Sequence, residues 1–72
     1  MAEIRAEITA NVWQVPAEVG QRVEEGDELA ILESMKMEIP VIATVSGTIR
    51  EIHIVPEGQV KEGDLIAIID EG

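Results

Sequence analysis

The stretch Leu29-Ala30-Ile31-Leu32-Glu33-Ser34-Met35-Lys36-Met37-Glu38-Ile39-Pro40-Val41-Ile42-Ala43 decides how this chain is read. Its two apolar runs have the length and composition of strands, and the polar interval between them is too short for a helix. A hairpin follows, with Lys36 at its tip. Exposed turns ordinarily carry Gly, Asn, Asp or Ser, which fit turn geometry or bond their own backbone. Met35 and Met37 do neither. Methionine is flexible and apolar and adapts to varied partner surfaces, so the loop reads as one meant to be gripped. Lysine is scarce, with Lys61 the only other one.

Working outward, the chain repeats itself at an offset of 37 positions, without gaps. Val23-Glu24-Glu25-Gly26-Asp27 falls on Val60-Lys61-Glu62-Gly63-Asp64, and Ile4, Ala6, Ile8, Val12 and Val15 fall on Val41, Ala43, Val45, Ile49 and Ile52. Residues 4–33 and 41–70 are thus two copies of one strand-rich unit. In the first copy, alternation predicts a strand over 3–8, a corner at Ala10-Asn11, and a strand from Val12 to Ala17 with Pro16 near its end. A short strand is expected around Val23 and a fourth from Leu29 to Glu33 or Ser34. The second copy predicts strands at Met37 to Ala43, Gly47 to Val55, around Val60, and Leu65 to Asp70. Eight short strands in two related sets imply an all-β flattened barrel or sandwich of antiparallel sheets, in which neither copy buries its apolar face alone. The equivalent of Lys36 lies beyond either end of the chain, so the hairpin tip and the paired termini are expected at opposite ends of the barrel.

Seventy-two residues make one small domain, near the size at which an apolar core suffices without a staple. There is no Cys, hence no disulfide or thiolate metal site. With no Phe or Tyr and one Trp, the core falls to Val, Ile, Leu and Ala, a composition that favours strands. A formal net charge of -10 repels phosphate backbones and anionic lipid, which argues against nucleic-acid and membrane partners. No signal-peptide pattern opens the chain, and no apolar run approaches the ~20 residues that span a bilayer. A cytoplasmic location is expected. Beginning at Met1 and carrying no Ala/Pro-rich linker, the chain is expected to be a complete product.

Glu33-Ser34-Met35-Lys36-Met37 resembles the modification motif of the biotinyl/lipoyl attachment domain family, usually Glu-Ala-Met-Lys-Met, whose lysine is joined to biotin by an amide bond. The likeness covers nearly the whole chain and is greatest to small free-standing biotin carboxyl carrier proteins of bacteria. It implies a barrel-sandwich hybrid of two four-stranded sheets with quasi-twofold symmetry. It implies Lys36 as the biotin site and a biotin protein ligase using biotinyl-AMP as the modifying enzyme. It further implies a non-catalytic carrier that moves carboxylate from a biotin carboxylase to a carboxyltransferase within a biotin-dependent carboxylase of the acyl-CoA type. Ser34 departs from the commoner Ala and leaves Met-Lys-Met intact. Lipoyl sites more often read Asp-Lys-Ala, so the methionines favour biotin, with lipoate as the alternative cofactor and an unmodified adaptor as the alternative role. Two turns depart from the family pattern. Ala10 stands where Gly is frequent, with Asn11 then expected in the left-handed position, and Glu57 occupies the slot of Gly20, which predicts a turn shifted to Gly58. The stretch from Pro16 to Gln21 is too short for the protruding thumb of some biotin carriers.

Nothing beside Lys36 in sequence activates its amine, and an ordinary lysine amine, with a pKa of about 10.4, is protonated at neutral pH. The chemistry therefore needs an outside enzyme, and the cofactor rather than the protein carries the hard step. Met35 and Met37 are expected to contact ligase or partner, with packing of one against the barrel as the other option. For Ser34 the same recognition role follows from the motif. Glu33 and Glu38 are balanced between ligase recognition and plain solvation. His53, between Ile52 and Ile54, alternates to the outer face with no constellation around it. Trp13 aligns with Arg50 and is expected at the surface, a partner patch being the lesser option. Asp27 and Asp64 beside glycines read as turn residues, not metal ligands.

Overall fold

The computed structural model describes residues 1–71. Eight strands follow in order: β1 (Ala2–Arg5), β2 (Ala10–Gln14), β3 (Arg22–Val23), β4 (Glu28–Ser34), β5 (Met37–Ile42), β6 (Gly47–Ile52), β7 (Gln59–Val60) and β8 (Leu65–Asp70). They form two four-stranded antiparallel sheets, ordered β1-β8-β6-β3 and β5-β4-β2-β7. No helix among the described residues is long and apolar enough to cross a membrane.

Each sheet takes strands from both copies of the repeat, and the second order is the first with every strand replaced by its mate. The connections obey the same symmetry. Gly20 N–H donates to the Ile49 carbonyl and Glu57 N–H to the Val12 carbonyl; Gly26 N–H donates to Ala43 and Gly63 N–H to Ala6. In the two tight turns the Asp27 and Asp64 carboxylates accept from the N–H groups of Glu24 and Lys61, both at 2.9 Å. These aspartates tie their own turns, as Asp commonly does.

Alternation along the strands fills the interior. Val12, Val23, Leu29, Leu32, Ile49, Val60, Ile66 and Ile69 are buried, and no buried polar or charged residue occurs among the described residues. Short β-branched side chains and alanines fill a sandwich about ten ångströms deep between sheets, which is why a chain without Phe or Tyr closes a core.

Several expected boundaries move. The strand predicted over 3–8 ends at Arg5, where a bulge between Ile4 and Arg5 shifts the ladder with β8. The second strand starts at Ala10 and stops before Pro16, and its mate stops at Ile52, short of Val55. Ala10-Asn11 is not a corner. Asn11 lies in β2, paired with Glu33 on one side and Gln59 on the other, and its φ is not positive. The ladder, not the side chain, fixes its backbone. The turn at Glu57 does not shift to Gly58 either: Glu57 itself takes φ 70° in the place where Gly20 has φ 92°. Its N–H bond to Val12 holds it there despite a cost of about 1–2 kcal/mol for a non-glycine residue.

Gly47 is required for space. A Cβ there would clash with the Asp70 carbonyl oxygen and lie 2.9 Å from Ile69 Cγ2. Its mate Ala10 carries a Cβ and is buried. Gly47→Ala is therefore expected to destabilise by about 3 kcal/mol or more through backbone displacement, whereas Ala10→Gly costs about 1–2 kcal/mol. Urea unfolding of the two variants checks this, and a near-neutral Gly47→Ala would contradict the packing.

Candidate functional site

The β4–β5 ladder builds the site. Leu32 pairs with Ile39, Glu33 with Glu38 and Ser34 with Met37, leaving Met35 and Lys36 as a two-residue turn. A tight turn between right-twisted strands needs positive φ at both central residues, which is why Asn-Gly is common there. Met35 and Lys36 take φ 52° and 65°. Each left-handed non-glycine residue costs about 1–2 kcal/mol, and such strain gathers where function holds a residue in place.

The turn stands clear of the barrel. Met35 is 92% exposed and Met37 65% exposed, so neither packs against the core. Lys36 is exposed, and no hydrogen bond or ion pair engages its amine among the described residues. Ser34 is half-buried at the end of β4. Glu33 and Glu38 are both exposed and sit directly opposite each other across the ladder. Like charges in that arrangement repel, so the pair sets a negative step beneath the lysine. That juxtaposition was readable in the sequence only through the turn length, since a two-residue turn at 35–36 forces 33 against 38.

Other candidates lie outside the turn. His53 is exposed, with Nε2 2.7 Å from Glu51 Oε1. Trp13 is 46% exposed. Among the described residues no group of three or more His, Asp or Glu could hold a metal ion. An open groove of about 690 Å³ runs between β1 and β5, lined by Ile4, Leu32, Ile39 and Val41 among others, but no residue of the 33–38 stretch lines it. A cofactor on Lys36 would thus be tethered outside the barrel.

Two interleaved repeats that close a sandwich and project one strained, lysine-bearing turn define a carrier domain of the barrel-sandwich class. The chain belongs to the biotin/lipoyl attachment family, whose model, described as biotin-requiring enzyme, matches residues 1–69. It is a non-catalytic, biotin-requiring carrier domain. It is 47% identical over 70 residues to the biotinylated protein TB7.3 homolog of Mycobacterium leprae, covering 96% of this chain and 99% of that protein. It matches the Kluyveromyces lactis urea carboxylase structure with a TM-score of 0.90 and 39% identity, over 96% of this chain and 6% of that one. A single-chain, multi-domain long-chain acyl-CoA carboxylase matches with a TM-score of 0.85 and 27% identity, over 92% of this chain and 6% of that one.

Relieving the strain at the tip stabilises the fold. Met35→Asn, which tolerates the left-handed region better, is expected to add up to about 1 kcal/mol, or roughly 4–8 °C in thermal midpoint for a domain of this size. A lowered midpoint would show that Met35 contributes contacts the structure does not give it.

Proposed function

We propose that Lys36 carries biotin through an amide bond, and that the chain takes carboxylate from a biotin carboxylase to a carboxyltransferase acting on an acyl-CoA. The observation that supports this most is the unpaired, exposed amine of Lys36 on a strained turn, in a chain of the biotin/lipoyl attachment family. A long-chain acyl-CoA carboxylase is among the carboxylases that this chain resembles, beside the urea carboxylase. The surroundings suit such a group: among the described residues nothing covers the turn, and a ligase can reach Nζ from outside.

Lys36 would hold the group: a biotin protein ligase would take a proton from its ammonium, and Nζ would form the amide bond with the adenylate-activated biotin carboxyl, with AMP as the leaving group. The chain loses one positive charge. When bound, biotin supplies a ureido nitrogen that accepts carboxylate at one site and gives it up at another. The chain's own residues hold the amine outward and offer a grip. Met35 and Met37 present adaptable apolar surface, Ser34 keeps the strand end small, and Glu33 with Glu38 marks the turn for a ligase with cationic groups at its entrance. Tethering converts diffusion of free cofactor into a local search at high effective concentration. We place this work in the cytoplasm, where ATP for the adenylate is supplied.

Incubating the full chain with purified biotin protein ligase, ATP and biotin should give complete streptavidin capture. Lys36→Arg should abolish it and Lys61→Arg should leave it unchanged. An untouched wild type, with capture of a known substrate in the same reaction, would overturn the biotin reading. Modification by a lipoate ligase instead would make the chain a lipoyl carrier, and modification by neither would leave an adaptor barrel.

A further inference from the structure

The quasi-twofold provides an internal control for the outer faces of the two sheets, because residues 37 positions apart occupy equivalent places. On the lysine-bearing sheet, Pro40 of β5 pairs with Ile31 of β4, and Gln14 of β2 pairs with Ile31 from the other side, with Trp13 the extra residue at the register shift next to it. Ile31 is half-buried yet lies outside the core cluster, as an outward residue does. Trp13 and Ile42 are 46% and 48% exposed. Three adjacent strands therefore present an apolar strip, and it holds the chain's single aromatic residue.

The opposite sheet places Arg50, Ile68, Glu3 and Arg5 at the positions of Trp13, Ile31, Pro40 and Ile42. Those charges are satisfied among themselves and their neighbours: Arg5 Nη2 lies 2.8 Å from Glu3 Oε1, and Arg50 Nη1 lies 3.9 Å from Asp70 Oδ2. One fold thus carries two equivalent faces, one covered by ion pairs and one left apolar. The apolar face is the one that bears the lysine. Glu33 and Glu38 border it toward the turn, and Glu28, paired with Ile42, borders it at the far end. None of these three carboxylates is engaged in an ion pair among the described residues. Scattered exposed apolar residues are ordinary, whereas an apolar run in register with a polar border marks a contact surface.

We infer that this face is the docking surface for the biotin carboxylase that loads the carrier, an assignment that rests on biotinylation of Lys36. An enzyme that binds ATP and bicarbonate, both anions, surrounds its site with cationic groups, and these complement the acidic border. Position separates this partner from the ligase. Pro40 is four residues from Lys36, about 13 Å along an extended strand. A ligase must bring its own site to Nζ and so occupies the turn; an enzyme that works at the far end of a long arm leaves the turn free and holds the flank.

The test writes the opposite face's residues onto this one. Full-length Trp13→Arg, Pro40→Glu protein is biotinylated to completion and titrated against purified biotin carboxylase of the same organism, following bicarbonate-dependent ATP hydrolysis. KM for the carrier should rise at least about tenfold with little change in kcat, while biotinylation rate and thermal midpoint stay at wild-type values. Trp13→Phe should keep the wild-type KM, and so should Arg50→Trp on the other face. Should the double variant unfold, Trp13→Arg alone is read the same way. An unchanged KM overturns the docking assignment, and so does slowed biotinylation, which would give the face to the ligase. Wild-type protein that accepts no biotin would overturn the attachment reading instead.

Discussion

The ladder between β4 and β5 is the constraint on which the rest depends. Its register runs from Glu28 opposite Ile42 to Ser34 opposite Met37, and buried Leu29 and Leu32 fix which face of β4 points inward. A slip of one residue would send those leucines to solvent. With the register held, only Met35 and Lys36 remain to turn the chain, and both must enter the left-handed region. The core thereby forces the lysine outward. The same register sets Glu33 against Glu38 and Ile31 against Pro40, so tip, acidic step and apolar strip are consequences of one alignment.

A chain this small holds such a turn because its two halves complete each other. Neither owns a sheet: β1 needs β8, β3 needs β6, and their mates need each other in the same way. Paired backbone bonds at the crossovers, such as Gly26 to Ala43 and Gly63 to Ala6, tie turns of one half to strands of the other. Unfolding one half exposes the apolar face of its partner. Cooperative closure of that kind replaces disulfides or large aromatics as the source of rigidity.

Much of this was legible in the sequence, for identifiable reasons. The repeat register marked out two equivalent sets of four strands, though not how they pair, and alternation placed Leu65 to Asp70 as a strand with its observed ends. Lys36 on a hairpin tip followed from two apolar runs too close together for anything else. Local side-chain preferences were the weaker guide. Asn11 and Glu57 were read from what such residues prefer near turns, but ladder and crossover hydrogen bonds decided their backbones. Gly47, read as the first residue of a strand, proved also to serve a close approach to Asp70. Strand ends near Pro16 and Pro56 were overrun because alternation continues where the pairing partner does not. The apolar strip was hidden for another reason: Trp13, Ile31 and Pro40 are distant in sequence and meet only across the sheet.

The central claim is that this chain displays one amine for acylation, and peptide-level mass spectrometry of the protein isolated from its own cells tests it most directly. The account predicts a biotin adduct on the peptide containing Lys36 and an unmodified Lys61. An adduct on Lys61, or a Lys36 peptide that stays bare in cells whose other carriers are biotinylated, would contradict it.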